Sequence, residues 1–192
     1  VYGDAGRVPF AESDASDRPL SPYAASKRSA ELLAHTYHHL YGFDISCLRF
    51  FTVYGPRQRP EMAISRFTSN ILNGLPITLF GDGTTARDYT FVDDIVTGII
   101  GTLDQLGGFD VLNIGGSDPI TLRELVRLIE RAAGREALID WQPMQPGDVE
   151  RTFADLTHAR ARIGYAPTVR IDEGIRRFVA WFRAEQEPVG IA

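Results

Sequence analysis

Ser21-Pro22-Tyr23-Ala24-Ala25-Ser26-Lys27 opens a helix. Ser21 suits a helix N-cap and Pro22 the first helical position. The pattern they open runs to Tyr41 and stops at Gly42, a natural residue just past a helix end. Tyr23 and Lys27 are four residues apart, so they share one helix face, one turn from each other. A tyrosine hydroxyl ordinarily titrates near ~10 and is a poor base at neutral pH. A neighbouring ammonium favours the phenolate, and a cationic ring above it favours it further. Such a pair can exchange a proton with a substrate hydroxyl. The spacing alone arises often by chance and fits an ordinary surface pair better, so the flanks decide.

After the helix, Ile45 to Phe51 is nearly continuous apolar sequence, interrupted by Ser46 and Arg49, and suits a buried parallel strand. The Gly55-Pro56 turn then leads into a loop holding Arg57 and Arg59, where α/β proteins place ligand groups beyond a strand's C-terminal end. Helix is expected over 63–72, a short strand over 77–80, turn chemistry at Gly81-Asp82-Gly83-Thr84, and one extended piece over 87–92. A helix over about 93–106 and a strand over 111–114 follow. Thr121 and Glu124 form a capping box for a helix ended by Gly134. A strand over 138–141, a short helix capped by Asp155 and a last helix beginning at Asp172 complete the chain. Helix and short strand alternate, which argues for the α/β class.

The chain has 192 residues, 44% of them hydrophobic, enough for a real core in one domain or most of one. Net charge is −5 and no basic block occurs, so nucleic acid is not an expected partner. No apolar run approaches ~18 residues, so no spanning helix and no membrane partner are expected; a cytoplasmic enzyme is. Cys47, the single cysteine, lies in the apolar run and is expected to be a buried free thiol. His35 and His39 have the helical spacing of metal ligands, but position 36 is Thr rather than the Glu of H-E-x-x-H, so packing histidines and no metal are expected.

Val1-Tyr2-Gly3 upstream, Pro22-Tyr23 with Lys27, and Arg49-Phe50-Phe51-Thr52-Val53-Tyr54-Gly55-Pro56 downstream together resemble the extended short-chain dehydrogenases/reductases, the NAD-dependent nucleotide-sugar epimerases and dehydratases. The resemblance covers nearly the whole chain and implies the end of a Rossmann-like doubly wound parallel sheet plus a smaller α/β substrate-binding lobe. It places residues 1–56 in the NAD-binding domain and 57–192 mainly in the lobe, with some segments returning to the first domain. The chain contains no Gly-x-x-Gly-x-x-Gly or G-x-G-x-x-G segment after a strand, the turn that brings backbone N–H groups against a pyrophosphate. Relatives carry it far upstream of Val-Tyr-Gly, so the chain is expected to be the C-terminal portion of a longer enzyme, inactive by itself.

The resemblance also implies roles. Tyr23 is the acid–base residue, and Lys27 holds the cofactor ribose; Phe50 and Val53 line the NAD site. Arg87, in Arg87-Asp88-Tyr89 before Val92-Asp93-Asp94, holds the diphosphate of a UDP-sugar, unless it pairs structurally with Asp88 or Asp94. Asp148 accepts from the ribose hydroxyls, and Leu79 and Phe80 flank the uracil ring unless they are core-strand residues. Gln145 stands where many relatives have arginine, which leaves Arg87 and Arg151 more of the phosphate charge. Asn113 satisfies loop backbone.

Thr52 stands where many relatives have Asn; with the run Gly55-Pro56-Arg57-Gln58-Arg59-Pro60-Glu61-Met62 and His35-Thr36-Tyr37-His38-His39, it most resembles the UDP-glucuronate 4-epimerases. Oxidation at C4 of a uronate gives a β-keto acid prone to lose carbon dioxide, so an epimerase must clamp the carboxylate. Thr52 offers a hydroxyl donor and Arg59 a cationic fork for that purpose, with Arg57 a weaker candidate. The implied activity is conversion of UDP-glucuronate to UDP-galacturonate through a 4-keto intermediate, by a homodimer. The alternatives are a related 4,6-dehydratase or decarboxylase, or an inactive lobe serving only in dimerisation.

Overall fold

A computed structural model describes residues 1–3, 8–14, 17–144 and 150–186. Helix α1 (Pro22–Tyr41) forms as its termini dictate: the Ser21 hydroxyl accepts the Ala24 N–H at 3.1 Å, and Gly42, at φ 69°, donates its N–H to His38 O. The chain then lays down β1 (Ile45–Phe50), β2 (Thr52–Tyr54), α2 (Ala63–Asn73), β3 (Pro76–Phe80), β4 (Ala86–Arg87), β5 (Tyr89–Phe91), α3 (Val92–Asp104), β6 (Phe109–Ile114), β7 (Ile120–Thr121), α4 (Leu122–Ala133), β8 (Leu138–Gln142), α5 (Thr157–Ile163) and α6 (Ile171–Gln186). Among the described residues β1 pairs in parallel with β6, β2 with β5 and β3 with β8, while β4 and β7 are antiparallel. The class is α/β.

Two apolar cores form among the described residues. One gathers Ile95, Leu112, Ile114, Leu156 and Tyr165 around β1 and β6. The other gathers Tyr54, Phe67, Ile71, Leu79, Phe91, Leu125, Ile129 and Phe178 between β2, β3, β5 and helices α2, α4 and α6. The crossing point between them is Phe51. Phe51 N–H donates to Ile114 O at 3.0 Å, and the next N–H, of Thr52, donates to Asp88 O at 3.0 Å. The apolar run over 45–51, expected as one strand, therefore changes partners at its end, and Thr52 and Val53 leave it as a separate short strand.

The expected single extended piece over 87–92 breaks at Asp88 for the matching reason. Its carboxylate is fully buried and accepts N–H bonds from Gly116 at 2.8 Å and from Ser117 and Ala154 at 3.0 Å. Burial pushes this carboxyl up, against the downward pull of those bonds. Asp94 is held similarly, by Thr168 and Val169 N–H at 2.9 and 3.0 Å. The capping box of Thr121 and Glu124 forms as expected. Asp155 does accept the Thr157 N–H at 2.8 Å, although the helix cap itself is Leu156. The last helix starts one residue earlier than expected, at Ile171. His35 packs edge-on against Phe109, and His38 Nδ1 lies 2.7 Å from Phe43 O.

Two expectations need correction here. Leu79 is 1% exposed within the second core, so its side chain is committed to packing and cannot flank a uracil ring without opening that core. Cys47 is half-buried rather than buried, because its side chain borders an open cleft; burial still pushes its thiol up.

Candidate functional site

A cleft of about 1110 Å³ opens between the first turns of α1 and the strand switch at Phe51. α1 supplies Tyr23 and Lys27 to its wall; β1 and β2 supply Phe50, Thr52 and Val53 to its floor; the loop after Gly55 supplies Arg59. Six of the residues expected from the sequence thus border one space. Tyr23 is 72% exposed, and Lys27 Nζ sits 5.4 Å from the centroid of its ring. Phe50 is 47% exposed and, with Leu48, Phe51 and Val53, gives the cleft an apolar floor beside the Tyr23 hydroxyl and Lys27 ammonium.

The loop that carries Arg59 is set by its backbone. Gly55 has φ 148°, and a Cβ there would meet Val92 Cγ1 at 2.5 Å, so Tyr54-Gly55 passes directly over the start of α3. Arg57 adopts φ 67°, a conformation non-glycine residues rarely take. Gln58 closes the turn, its N–H on Gly55 O at 3.1 Å and its Nε2 on Val53 O at 3.0 Å. Arg59 is 76% exposed; its Nε lies 3.4 Å from Glu61 Oε1 and its Nη2 3.8 Å from Met62 Sδ.

Arg57 borders the cleft as well, whereas Leu79, Phe80 and Arg87 do not. Phe80 is half-buried at the end of β3, opposite Gln142. Arg87 is half-buried on β4. It lies close by: Thr152 borders the cleft, donates its N–H to Ala86 O at 3.1 Å, and accepts the Asp88 N–H on its hydroxyl at 3.2 Å. The Asp88 carboxylate holds backbone N–H groups, as does Asp94, so these carboxylates are turned to the fold. Asp148 lies outside the described residues.

One cluster on the cleft wall escaped the sequence reading. Arg49 Nε and Nη2 donate to the two Glu31 oxygens at 2.7 and 2.8 Å, and both side chains are buried. Arg49 Nη1 donates to Tyr2 Oη at 3.2 Å and Glu12 O at 3.1 Å, and the Tyr2 hydroxyl donates to Asn113 Oδ1. Asn113 Nδ2 in turn donates to Phe10 O and Asp155 O, the loop-bracing role expected of it. Burial pushes the Glu31 carboxyl up, but hydrogen bonds from Arg49 and Arg28 outweigh it and hold the group below its ordinary range. The signal was present: Glu31 follows Tyr23 and Lys27 at helical spacing, and Arg49 is the charge inside the apolar strand.

A family model described as GDP-mannose 4,6 dehydratase matches residues 1–178. The UDP-glucuronate 4-epimerase of Thermodesulfobacterium geofontis is 46% identical over 180 residues, covering 93% of this chain and 55% of the relative. The crystal structure of the Bacillus cereus UDP-glucuronic acid 4-epimerase with UDP-glucuronic acid and NAD superposes with a TM-score of 0.88 at 35% identity, covering 96% of this chain and 59% of that one. The UDP-glucose 4-epimerase of Thermotoga maritima, solved with UDP-glucose, gives 0.90 at 32% identity, covering 97% and 61%. The chain thus spans a little over half the length of the relatives it matches. Its α/β fold is that of the Rossmann-type epimerases, and the chain belongs to the GDP-mannose 4,6 dehydratase family of nucleotide-sugar epimerases and dehydratases.

Proposed function

We propose that the protein carrying this chain is an NAD-dependent nucleotide-sugar 4-epimerase that interconverts UDP-glucuronate and UDP-galacturonate. The observation that carries the reading is the single cleft bordered by Tyr23, Lys27, Phe50, Thr52, Val53 and Arg59. The residues suit NAD: an exposed phenyl ring and valine offer an apolar bed for a flat ring, and Lys27 offers an ammonium to ribose hydroxyls. When bound, NAD supplies a hydride acceptor and donor. Tyr23 Oη takes the proton of the sugar 4-hydroxyl as C4 is oxidised and returns it when the opposite configuration is restored. Lys27 stabilises the phenolate meanwhile. Between the two events the keto sugar turns about its phosphate linkage. Thr52 and Arg59 hold the uronate carboxylate, so that its bond to C5 stays poorly aligned with the carbonyl and carbon dioxide is retained. Arg87 and Asp148 belong to the proposal as the diphosphate and ribose contacts, with Phe80 near the base.

In the domain assignment we favour, residues 1–56 finish the cofactor domain and 57–192 form mainly the substrate lobe. The parallel pairing of β6 with β1 supports a return of residues 109–114 to the first domain. A homodimer is part of the reading. Leu32, Leu33, Tyr37 and Leu40 are exposed on α1, which is more apolar surface than a solvated helix face ordinarily carries. The test is Tyr23→Phe in the protein that carries this chain. Turnover should fall by roughly 10²–10⁴ while NAD remains bound; near-normal turnover would remove Tyr23 from the chemistry.

A further inference from the structure

We propose that the buried Arg49–Glu31 pair is a positioning device for Tyr23 and Lys27: by holding the Glu31 carboxylate against β1, Arg49 keeps it from drawing the Lys27 ammonium away from Tyr23. The inference rests on the roles given to Tyr23 and Lys27 above.

Geometry carries it. Glu31 lies four residues after Lys27 and eight after Tyr23, so the three share one face, with neighbours about 6 Å apart along the axis. Glu31 is the one buried side chain of α1, and it borders the same cleft as Lys27 and Arg49. Arg28 Nη1 also takes Glu31 Oε2, at 2.9 Å, but Oε1 is held by Arg49 Nε at 2.7 Å. Without Arg49, that oxygen has a desolvated charge to satisfy, and Lys27 is the cation one turn away. Attraction between lysine and glutamate at this spacing operates on any helix and strengthens where water is scarce.

The other groups facing the pair do not substitute for Arg49. Arg28 is partly exposed and shares itself with Asp17 at 3.4 Å. The Glu12 carboxylate is turned onto the Asn113 N–H at 2.8 Å. Tyr2 and Cys47 are neutral hydroxyl and thiol groups, each pushed up by burial. The Arg49 guanidinium also ties down Tyr2 and the Glu12 carbonyl, so one side chain fixes α1, β1 and the segment around Val1–Gly3 relative to each other.

The test compares Arg49→Gln, Arg49→Lys, the double variant Arg49→Gln with Glu31→Gln, and Tyr23→Phe, in the protein that carries this chain with NAD and UDP-glucuronate. Arg49→Gln should lower kcat roughly tenfold or more, leave KM for the sugar within about threefold, and move the acid limb of the kcat profile up by roughly half a pH unit. The double variant should return the limb to its original pH, because the competing carboxylate is gone; Arg49→Lys should leave it in place. The ¹³Cζ resonance of Tyr23, assigned by its loss in Tyr23→Phe, should follow the same shift without turnover. Should Arg49→Gln fail to fold, Glu31→Asp takes its place: it keeps the charge, shortens the reach to Arg49, and must move the limb the same way. A limb that stays put in Arg49→Gln, or a shift that persists in the double variant, means the pair only braces the fold and overturns the inference. Near-normal turnover in Tyr23→Phe would instead overturn the reading beneath it.

Discussion

Removing the Arg59 side chain should separate the uronate from the neutral sugar. In the free protein its guanidinium is 76% exposed and engages Glu61 at 3.4 Å, an exposed contact of about 0.2–1 kcal/mol that a ligand carboxylate displaces cheaply. A charge-assisted hydrogen bond to a bound uronate is worth roughly 1.5–3 kcal/mol. The net difference is about 0.5–2.8 kcal/mol, which at ~1.36 kcal/mol per decade is roughly 2- to 110-fold in kcat/KM for UDP-glucuronate. UDP-glucose has no charge for that fork and should change less than about twofold. Arg59→Ala should also release a pentose product, since the unclamped carboxylate can turn into alignment with the C4 carbonyl. The assay is chromatography of products from each substrate. Unchanged uronate preference with no pentose would mean that Arg59 is a solvated loop charge and the carboxylate is held elsewhere.

Asp88→Ala orphans three backbone N–H groups and should cost about 3–5 kcal/mol of stability in urea titrations; a loss below ~1 kcal/mol would show that water replaces the carboxylate. Gly174→Ala, ordinarily a gain in a helix, should cost about 1–3 kcal/mol in the same titrations because its Cβ would overlap the Tyr54 hydroxyl and ring and the Phe91 ring, and Tyr54→Phe should relieve only the hydroxyl's share of that cost. Glu31 is held below its ordinary value in the folded state, so its contribution is present above its unfolded value of 4.5 and is lost as pH falls below that. Thermal melts of Glu31→Gln should therefore show a shallower decline as pH falls below 4.5 than the parent protein; equal slopes would place the acid sensitivity elsewhere.

Much of this arrangement was legible before the structure because local chemistry dictates it. The Ser21 cap, the Gly42 stop and the Thr121–Glu124 box are contacts within a few residues, and each formed as read. The spacing of Tyr23 and Lys27 fixed their common face in the same way. What was hidden depends on partners distant in sequence. The breaks at Phe51 and Asp88 exist because β1 ends against β6 while β2 begins against β5, pairings that no local pattern encodes. Leu79 reads equally as strand core or ring contact until α2 and α4 close over it. The Arg49–Glu31 pair was visible only as a charge in an apolar run, and its meaning required α1 to be docked on β1.

Incubating the protein that carries this chain with NAD and UDP-glucuronate deuterated at C4 tests the epimerisation itself. An equilibrium mixture of UDP-glucuronate and UDP-galacturonate should form, with the deuterium retained at C4 because the same hydride is removed and returned. Loss of the label to solvent, or a pentose or dehydrated sugar as the main product, would contradict the proposed function.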